Sequence, residues 1–164
     1  MTIQTRKMTP DDYPAVANIY AEGISTGNAT FQNDVPTWEA WDAGHIKSCR
    51  FVALADGEVA GWAALTPVSE RCVYGGVAEV SVYIGELFRG QGIGLLLLQE
   101  LVTESEANKF WTLQSGIFPE NEGSIKLHEK TGFRLVGFHE RVGQMSDGRW
   151  RDTLLFERRS KIVG

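Results

Sequence analysis

Residues 77–94, with the sequence VAEVSVYIGELFRGQGIG, decide the fold. Val77 to Ile84 is an apolar run of strand length, and Ile93 to Ala107 has the length and the crowded apolar residues of a helix. The turn Arg89-Gly90-Gln91-Gly92-Ile93-Gly94 joins them. Free backbone N–H groups and the positive end of the helix dipole make such a connection a site for an anion. The stretch therefore predicts a pocket for a phosphorylated ligand.

The spacing of the three glycines separates this turn from other phosphate-binding loops. A dinucleotide fingerprint, G-x-G-x-x-G, fails because Leu95 stands at the last glycine position counted from Gly90 and Gly92. A P-loop fails because no Gly-Lys-Ser/Thr is present. What remains is R-x-x-G-x-G, in which glycines admit a diphosphate to the amides and Arg89 adds a fixed positive charge. The alternative is a tight connection whose glycines serve packing alone.

Strands and helices alternate on both sides of this stretch. Asp56-Gly57 is a hairpin signal that predicts antiparallel pairing of the strands around it. Apolar periodicity and turn residues predict strands at 3–8, 51–55, 59–65, 77–84, 111–118, 133–144 and 149–158, and helices at 9–22, 37–47, 93–107 and 123–131. The sequence thus predicts one α/β (α+β) domain over residues 1–164, with a mostly antiparallel twisted sheet of about six or seven strands and about four flanking helices.

Composition and charge narrow the classes of function. A net charge of -5 argues against a nucleic-acid partner, and the longest apolar run, Ile93 to Leu98, is too short to span a membrane. The N-terminus lacks the layout of a secretory signal, so we expect a cytoplasmic protein with no membrane partner. Cys49 and Cys72 are the only cysteines, and the three histidines show no metal-ligand spacing. We therefore expect no disulfide framework and no metal.

The strand and its glycine turn resemble the coenzyme A pyrophosphate loop of the GNAT superfamily of N-acetyltransferases. Asn121-Glu122-Gly123-Ser124, followed by a short helix and Gly132-Phe133, is similar to the other cofactor-contacting region of that superfamily. The resemblance implies the GNAT fold, acetyl-CoA as cosubstrate and, together with five tryptophans, a homodimer. It implies a cofactor site built from Val82, Tyr83, Ile84, Arg89, Gly90, Gln91, Gly92, Ile93, Gly94, Leu95, Asn121 and Ser124.

Within this cofactor site the implied contacts differ in kind. The strand residues Val82, Tyr83 and Ile84 would act through backbone groups, which bind the pantetheine amides and donate one N–H to the acetyl oxygen. Such a donor contributes most when it meets the charge that develops in the transition state. Asn121 and Ser124 would contact the coenzyme, although helix capping explains them equally well.

Arg71-Cys72-Val73-Tyr74 followed by Glu79 resembles one group within the superfamily, the phosphinothricin and methionine sulfoximine acetyltransferases. The chain departs at Cys72 and Gly75-Gly76, where other members more often carry proline and larger residues, so the accepted amino-acid side chain stays open. Arg71 is suited to bind a substrate carboxylate in a bidentate fork. Trp150 is a further candidate wall, with packing as its alternative. The predicted substrate site comprises Phe31, Arg71, Cys72, Val73, Tyr74, Glu79, Val80 and Ser81.

Glu79 and His128 are the candidate catalytic residues. Period-two alternation places Glu79 on one face of its strand with Ser81. Partial burial would raise the carboxyl pKa toward the working pH, which suits a general base, unless Glu79 belongs to a surface salt bridge. His128 follows Ser124 by one helical turn and is suited to proton transfer, unless it is an ordinary surface histidine. Cys72 has no accompanying base, so direct attack by the amine is expected.

Three functions follow from these residues. The first is acetyl-CoA-dependent N-acetylation of a small amino acid or analogue, of the methionine sulfoximine or phosphinothricin type. The second keeps the cosubstrate but acetylates a protein N-terminus, a polyamine or an aminoglycoside; the acidic balance favours cationic acceptors, whereas Arg71 favours an anionic one. The third is an acyl-CoA-binding module without turnover, which would need neither Glu79 nor His128.

Overall fold

The computed structural model describes residues 1–164 as an α/β unit built on one sheet. Its strands are β1 (Ile3–Lys7), β2 (Arg50–Ala55), β3 (Glu58–Pro67), β4 (Val77–Ile84), β5 (Thr112–Ile117), β6 (Arg134–Gln144) and β7 (Trp150–Arg159). Its α-helices are α1 (Tyr13–Ser25), α2 (Trp38–Gly44), α3 (Ile93–Ala107) and α4 (Glu122–Lys130). Short 3-10 turns lie at Pro10–Asp12, Cys72–Tyr74 and Glu86–Phe88. None of the helices combines the length and the apolar character that crossing a membrane requires.

The sheet is mostly antiparallel, as predicted, and separates at one place. Its strand order is β1-β2-β3-β4-β5-β7-β6, and only β4 and β5 run parallel. Those two strands pair over Val77 to Glu79 and no further. From Val80 onward β4 has no partner on that side, because β5 diverges from it. This separation exposes one edge of β4 in the middle of the sheet.

The hairpin turn lies where the sequence predicts it, whereas the ends of the first two helices differ from the prediction. The predicted hairpin at Asp56-Gly57 is confirmed, with φ angles of 48° and 85° at its two residues. The first helix, predicted to end near residue 22, continues to Ser25. This helix includes Gly23, where a Cβ would lie 2.6 Å from Cδ1 of Tyr83, so the glycine admits that ring. The second helix ends at Gly44 rather than near residue 47.

The core has two layers, one on each face of the sheet. The leucines of α3, including Leu97 and Leu101, pack on one face with Ala78 and Val80 of β4. Val16 of α1, Trp41 of α2 and Trp62 of β3 form the other layer. Tyr83 packs against this second layer, so the predicted alternation along β4 is confirmed. The face that carries Glu79 is therefore the face covered by α1 and α2.

Gly76, which departs from the pattern of the resembled group, is required by Trp111. A Cβ at Gly76 would lie 2.0 Å from Cε3 of the Trp111 ring. We expect Gly76→Ala to lower the free energy of unfolding by about 1–3 kcal/mol, the usual cost of overpacking. Urea unfolding measures this, with Gly44→Ala as control, because nothing lies within 4 Å of a Cβ at Gly44. Equal stability of the two variants would contradict this explanation.

Candidate active site

Two spaces open where β4 and β5 separate. The first, here called the inner cavity, has a volume of about 410 Å³ and lies among β4, β5 and the loop between α1 and α2. The second, the glycine cleft, has a volume of about 810 Å³ and lies between the glycine turn and α4. Both are lined by Ala29, Val82, Tyr83, Asn121 and Ser124. The two spaces therefore meet beside the unpaired edge of β4.

The glycines of the turn divide into two kinds. Gly90 and Gly92 have φ angles of 77° and 81°, and nothing lies within 4 Å of a Cβ placed on either. These two residues provide a left-handed backbone and leave open space beside the start of α3. At Gly94 a Cβ would lie 3.1 Å from Cδ2 of Leu127, so that glycine serves the packing of α3 on α4. The packing alternative thus accounts for Gly94 alone.

Positive charge lines the glycine cleft on two sides. Arg89 borders it from the turn, and its Nε donates to the carbonyl oxygen of Ile84 at 3.4 Å. Lys126 and Lys130, one helical turn apart on α4, border it as well. These lysines are not among the predicted site residues, although their spacing on the helix that follows Asn121 is a signal in the sequence. Glu120 and Glu122 line the cleft too, but the free amides and the three cations outnumber these carboxylates and fit an anionic ligand.

Asn121 and Ser124 serve as a helix cap. The Asn121 Oδ1 accepts a hydrogen bond from the Ser124 backbone N–H at 3.2 Å, which is the capping arrangement. Both residues also line both spaces. The structure shows that these two residues cap α4. Their contact with a coenzyme stays a prediction.

Glu79 is the one carboxylate among the residues that line the inner cavity. It takes part in none of the chain's ion pairs, so the salt-bridge interpretation does not describe it. By surface area the Glu79 side chain is exposed, because it faces the open cavity, yet the cavity walls around it displace water and raise the pKa of its carboxyl above the ordinary value. A carboxyl with a raised pKa, facing a cavity, is suited to exchange a proton with a bound amine.

His128 is buried, which corrects the interpretation as a surface histidine. It is 3 % exposed and lines the inner cavity. Its Nδ1 lies 2.7 Å from the carbonyl oxygen of Ser124, and because a carbonyl only accepts, Nδ1 carries the proton. Burial lowers the pKa of His128, so the ring is neutral at neutral pH. Its Nε2 has no hydrogen-bond partner and keeps a free lone pair.

Aromatic rings form the other walls of the inner cavity. Tyr83 stacks on Tyr20 and on Trp62, at centroid distances of 4.9 and 5.0 Å. Phe31 meets Phe118 edge-on at 4.9 Å, which places Phe31 in the predicted wall. Another lining residue, His45, stacks on Trp41 at 3.9 Å and is not among the predicted site residues. Contacts between such distant residues leave no local pattern to read.

Several predicted site residues line neither space. Trp150 is 56 % exposed on β7, so it is no cavity wall. Ile93 is 1 % exposed and belongs to the core under α3, so only its backbone is available to a ligand. The turn after β3 is exposed, and the Arg71 guanidinium lies over the Tyr74 ring at 5.6 Å. The predicted residues outside both linings are Arg71, Cys72, Val73, Tyr74, Gln91 and Ile93.

The remaining predicted residues come together in the two spaces. The inner cavity is lined by Phe31, Glu79, Val80, Ser81, Val82, Tyr83, Asn121, Ser124 and His128. The glycine cleft is lined by Val82, Tyr83, Ile84, Arg89, Gly90, Gly92, Gly94, Leu95, Asn121 and Ser124. The two candidate catalytic side chains thus share one cavity, and the glycine turn borders the other space.

Comparison with known proteins agrees with this arrangement. The profile of the acetyltransferase (GNAT) family matches residues 13–133. The L-methionine sulfoximine/L-methionine sulfone acetyltransferase of Pseudomonas paraeruginosa is 30% identical over 158 residues, which cover 93% of this chain and 91% of the relative. A crystal structure of a phosphinothricin acetyltransferase from Sinorhizobium meliloti, in complex with AcCoA, is 31% identical with a TM-score of 0.85, covering 97% of this chain and 89% of that one.

A third similarity concerns a protein of different name. The crystal structure of a ribosomal-protein-alanine N-acetyltransferase from Brucella melitensis is 31% identical, with a TM-score of 0.86, and the match covers 96% of this chain and 99% of that one. The family profile spans well over half of the chain and includes β4, the glycine turn and α4. The sheet separates beside the glycine turn at the start of α3, and the family profile covers this region. The chain belongs to the GNAT family of acetyltransferases.

Proposed function

We propose that the protein transfers the acetyl group of acetyl-CoA to the amino group of a small amino acid or amino-acid analogue, of the methionine sulfoximine or phosphinothricin type. The observation that carries the proposal is the meeting of the two spaces at Val82 and Tyr83. One space offers amides and cations, and the other offers a carboxylate with a raised pKa. Relatives named for acetylation of such amino acids cover most of the chain.

The glycine cleft fits acetyl-CoA, which supplies an acetyl group activated as a thioester. The open amides at Gly90 and Gly92, with Arg89 beside them, would hold the diphosphate. Lys126 and Lys130 would add charge along α4. The unpaired edge of β4 would provide backbone groups for the pantetheine arm. Acetyl-CoA is thereby directed toward the junction with the inner cavity.

Glu79 would act as the general base. An ammonium has no lone pair, so the amine must lose a proton before its nitrogen can bond to the acetyl carbonyl carbon. The carbon–sulfur bond then breaks, and coenzyme A leaves as its thiolate. The ammonium proton passes to the Glu79 carboxylate, directly or through water, and the second proton that the nitrogen loses as the amide forms neutralises the thiolate. No acyl-enzyme is needed, since Cys72 lies outside both linings.

His128 would act through the free lone pair on its Nε2. With Nδ1 bonded to the Ser124 carbonyl, its only free position is Nε2, which accepts a proton rather than donates one. Proton acceptance there would turn the buried ring into a cation, which burial disfavours. His128 is thus better suited to accept a hydrogen bond from substrate or water than to store a proton.

Arg71 would bind the carboxylate of the substrate at the mouth of the inner cavity. Its segment connects Thr66 at the end of β3 with Glu79 on β4, and both of these residues line the cavity. No lysine or arginine lines the cavity itself. An anionic group therefore needs a cation from the rim, and Arg71 with Cys72, Val73 and Tyr74 forms the exposed segment nearest in sequence. Arg71→Ala should then impair carboxylate substrates and spare polyamines.

Release of free thiol tests the proposed function. Purified protein with acetyl-CoA should release thiol when methionine sulfoximine, methionine sulfone or phosphinothricin is added, and mass spectrometry should find the acetylated amine. Omission of the amine is the control for hydrolysis. No turnover with any of these compounds, in folded protein that binds acetyl-CoA, would favour the binding module.

A protein N-terminus is the second candidate acceptor. The likeness to the ribosomal-protein-alanine N-acetyltransferase favours it, since that match covers nearly all of both chains. The same thiol assay with short peptides that begin with alanine separates the two candidates. A higher kcat/KM for the peptides than for free amino acids would favour this acceptor.

A homodimer through the β6 edge and a cytoplasmic location complete the proposal. Trp41 and Trp62 are core residues, so the tryptophan count does not support an interface. The support for an interface comes from the exposed Trp150 and from apolar side chains of β6. Leu135, Phe138 and Val142 are each more than half exposed. Sedimentation should show a dimer that Phe138→Lys dissociates; a wild-type monomer would overturn this part. Free thiols at Cys49 and Cys72 suit a reducing compartment.

A further inference from the structure

The loop between α1 and α2 lies where the two spaces meet. Asn28 lines the glycine cleft, Ala29 lines both spaces, and Thr30 to Gln32 line the inner cavity. This run, from Gly27 to Gln32, is here called the bridging loop. Nothing in its sequence predicts a fixed shape, since it contains a glycine and no regular apolar pattern. Its position must therefore be set by contacts from other parts of the chain.

Arg151 of β7 supplies polar contacts to the start of the bridging loop. Its side chain is almost fully buried, with one guanidinium nitrogen donating to the Gly27 carbonyl oxygen at 2.7 Å. The other terminal nitrogen donates to Asn28 Oδ1 at 2.8 Å and to Glu120 Oε2 at 3.2 Å. A planar guanidinium is the one side chain that can hold several acceptors in fixed directions. Arg151 thus connects the loop to the segment before α4.

The burial of Arg151 suggests a role beyond stability. Its one ionic partner, the Glu120 carboxylate, is 60 % exposed and lies at the long distance of 3.2 Å. A buried charge with so weak a partner gains little net stability, because removal of the charge from water is costly. The stronger contacts go to the bridging loop. The guanidinium therefore orients the loop more than it stabilises the core.

Aromatic contacts hold the other half of the bridging loop. The Arg151 guanidinium lies over the Phe118 ring at 4.0 Å, and Phe118 meets Phe31 edge-on. Phe31 occupies space left by Gly143 on β6, where a Cβ would lie 2.4 Å from the ring. Asn121, the cap of α4, donates from Nδ2 to the Asn28 carbonyl oxygen at 3.2 Å. Arg151 lies at the centre of these contacts, although it lines neither space.

We propose that Arg151 is a positioning residue that fixes the bridging loop across the junction of the two spaces. The identity of the two ligands, acetyl-CoA and the amine, rests on the proposed function; the fixing of the loop does not. A loop held in its bound shape lowers the entropy cost of binding and aligns the reacting groups. Loss of Arg151 should therefore loosen the loop and weaken the use of both ligands.

Hydrogen exchange of the ligand-free protein tests the loop directly. In Arg151→Gln, amides from Gly27 to Gln32 should exchange at least about tenfold faster, while those of β4 and α3 stay unchanged. Arg151→Lys keeps the charge but not the forked guanidinium. Its loop amides should exchange at rates between those of the wild type and Arg151→Gln. Arg158→Gln is the matched control, since Arg158 is on the same strand and pairs with Glu106 instead. Unchanged exchange of the loop in folded Arg151→Gln, or equal acceleration everywhere, overturns the proposal.

Ligand binding separates failure of this proposal from failure of the proposed function. Arg151→Gln should raise KM for amine and for acetyl-CoA by about tenfold or more, with a smaller change in kcat, and calorimetry should show the same loss of acetyl-CoA affinity. Should Arg151→Gln not fold, Asn28→Ala removes one acceptor from the exposed side and should accelerate loop exchange in the same direction. A looser loop with unaltered acetyl-CoA affinity and KM values overturns the positioning role. If the wild type acetylates no amine, the proposed function fails. The exchange and calorimetry results still test whether Arg151 positions the loop.

Discussion

Glu79→Gln should lower kcat by about two to four orders of magnitude, the usual contribution of a positioned general base. The amide keeps the size of the side chain but cannot accept the proton that the amine must lose. Because no other carboxylate lines the inner cavity, no neighbour can replace it. Affinity for acetyl-CoA should be unchanged, since Glu79 does not line the glycine cleft.

The base role of Glu79 also predicts how kcat/KM changes with pH. Only the ionised Glu79 accepts a proton, so kcat/KM should rise with pH as this carboxyl ionises. The cavity walls that displace water around Glu79 raise the pKa of its carboxyl, so the rise in kcat/KM should occur at higher pH than for an ordinary glutamate. Glu79→Gln should lose this limb of the profile. Glu58→Gln, on β3 and outside both spaces, is the control. Wild-type kcat in Glu79→Gln would exclude the base role of this carboxylate.

Gly92→Ala should weaken acetyl-CoA binding by about 10- to 100-fold. Gly92 has a φ of 81° and open space around a Cβ, so the free protein accommodates the methyl group apart from backbone strain of about 1–2 kcal/mol. In the proposed complex that methyl group would compete with the diphosphate for the space beside the start of α3. Loss of one or two hydrogen bonds to a charged phosphate corresponds to an affinity change of this size.

Gly57→Ala is the matched control for Gly92→Ala. Gly57 lies in the hairpin between β2 and β3 with a φ of 85°, and nothing lies within 4 Å of its Cβ. Both variants should lose similar stability in urea unfolding, whereas only Gly92→Ala should lose affinity in calorimetry. Equal affinity of Gly92→Ala and wild type would show that the diphosphate lies elsewhere.

The sequence predicted the parts of the site that depend on local chemistry. The bounds of β4 and α3 are as predicted because an apolar strand, a glycine turn and an apolar helix follow one another without a break. Glu79 could be placed on its face because alternation along a strand needs no tertiary information. The positive φ angles of Gly90 and Gly92 are a finding of the structure, since the spacing predicted only that missing side chains would open the amides.

What the sequence did not predict depends on contacts between distant segments. Arg151 and Gly27 are 124 positions apart, and no sequence pattern near either residue predicts their hydrogen bond. On β7 the large aromatic residue Trp150 faces outward and the charged Arg151 inward, which reverses the usual hydrophobic preference. His128 is buried because Phe133 packs edge-on against its ring at 5.0 Å. Spacing alone placed it on a helix face without showing what covers that face.

The central claim is that one ligand in the glycine cleft and another in the inner cavity meet at the unpaired edge of β4. The affinity of a conjugate tests it most directly, with the sulfur of coenzyme A joined through an acetyl link to the amino nitrogen of methionine sulfone. By occupying both spaces, the conjugate should bind at least about 100-fold more tightly than coenzyme A alone in calorimetry. A conjugate that binds no more tightly than coenzyme A would contradict the claim that the two spaces form one active site.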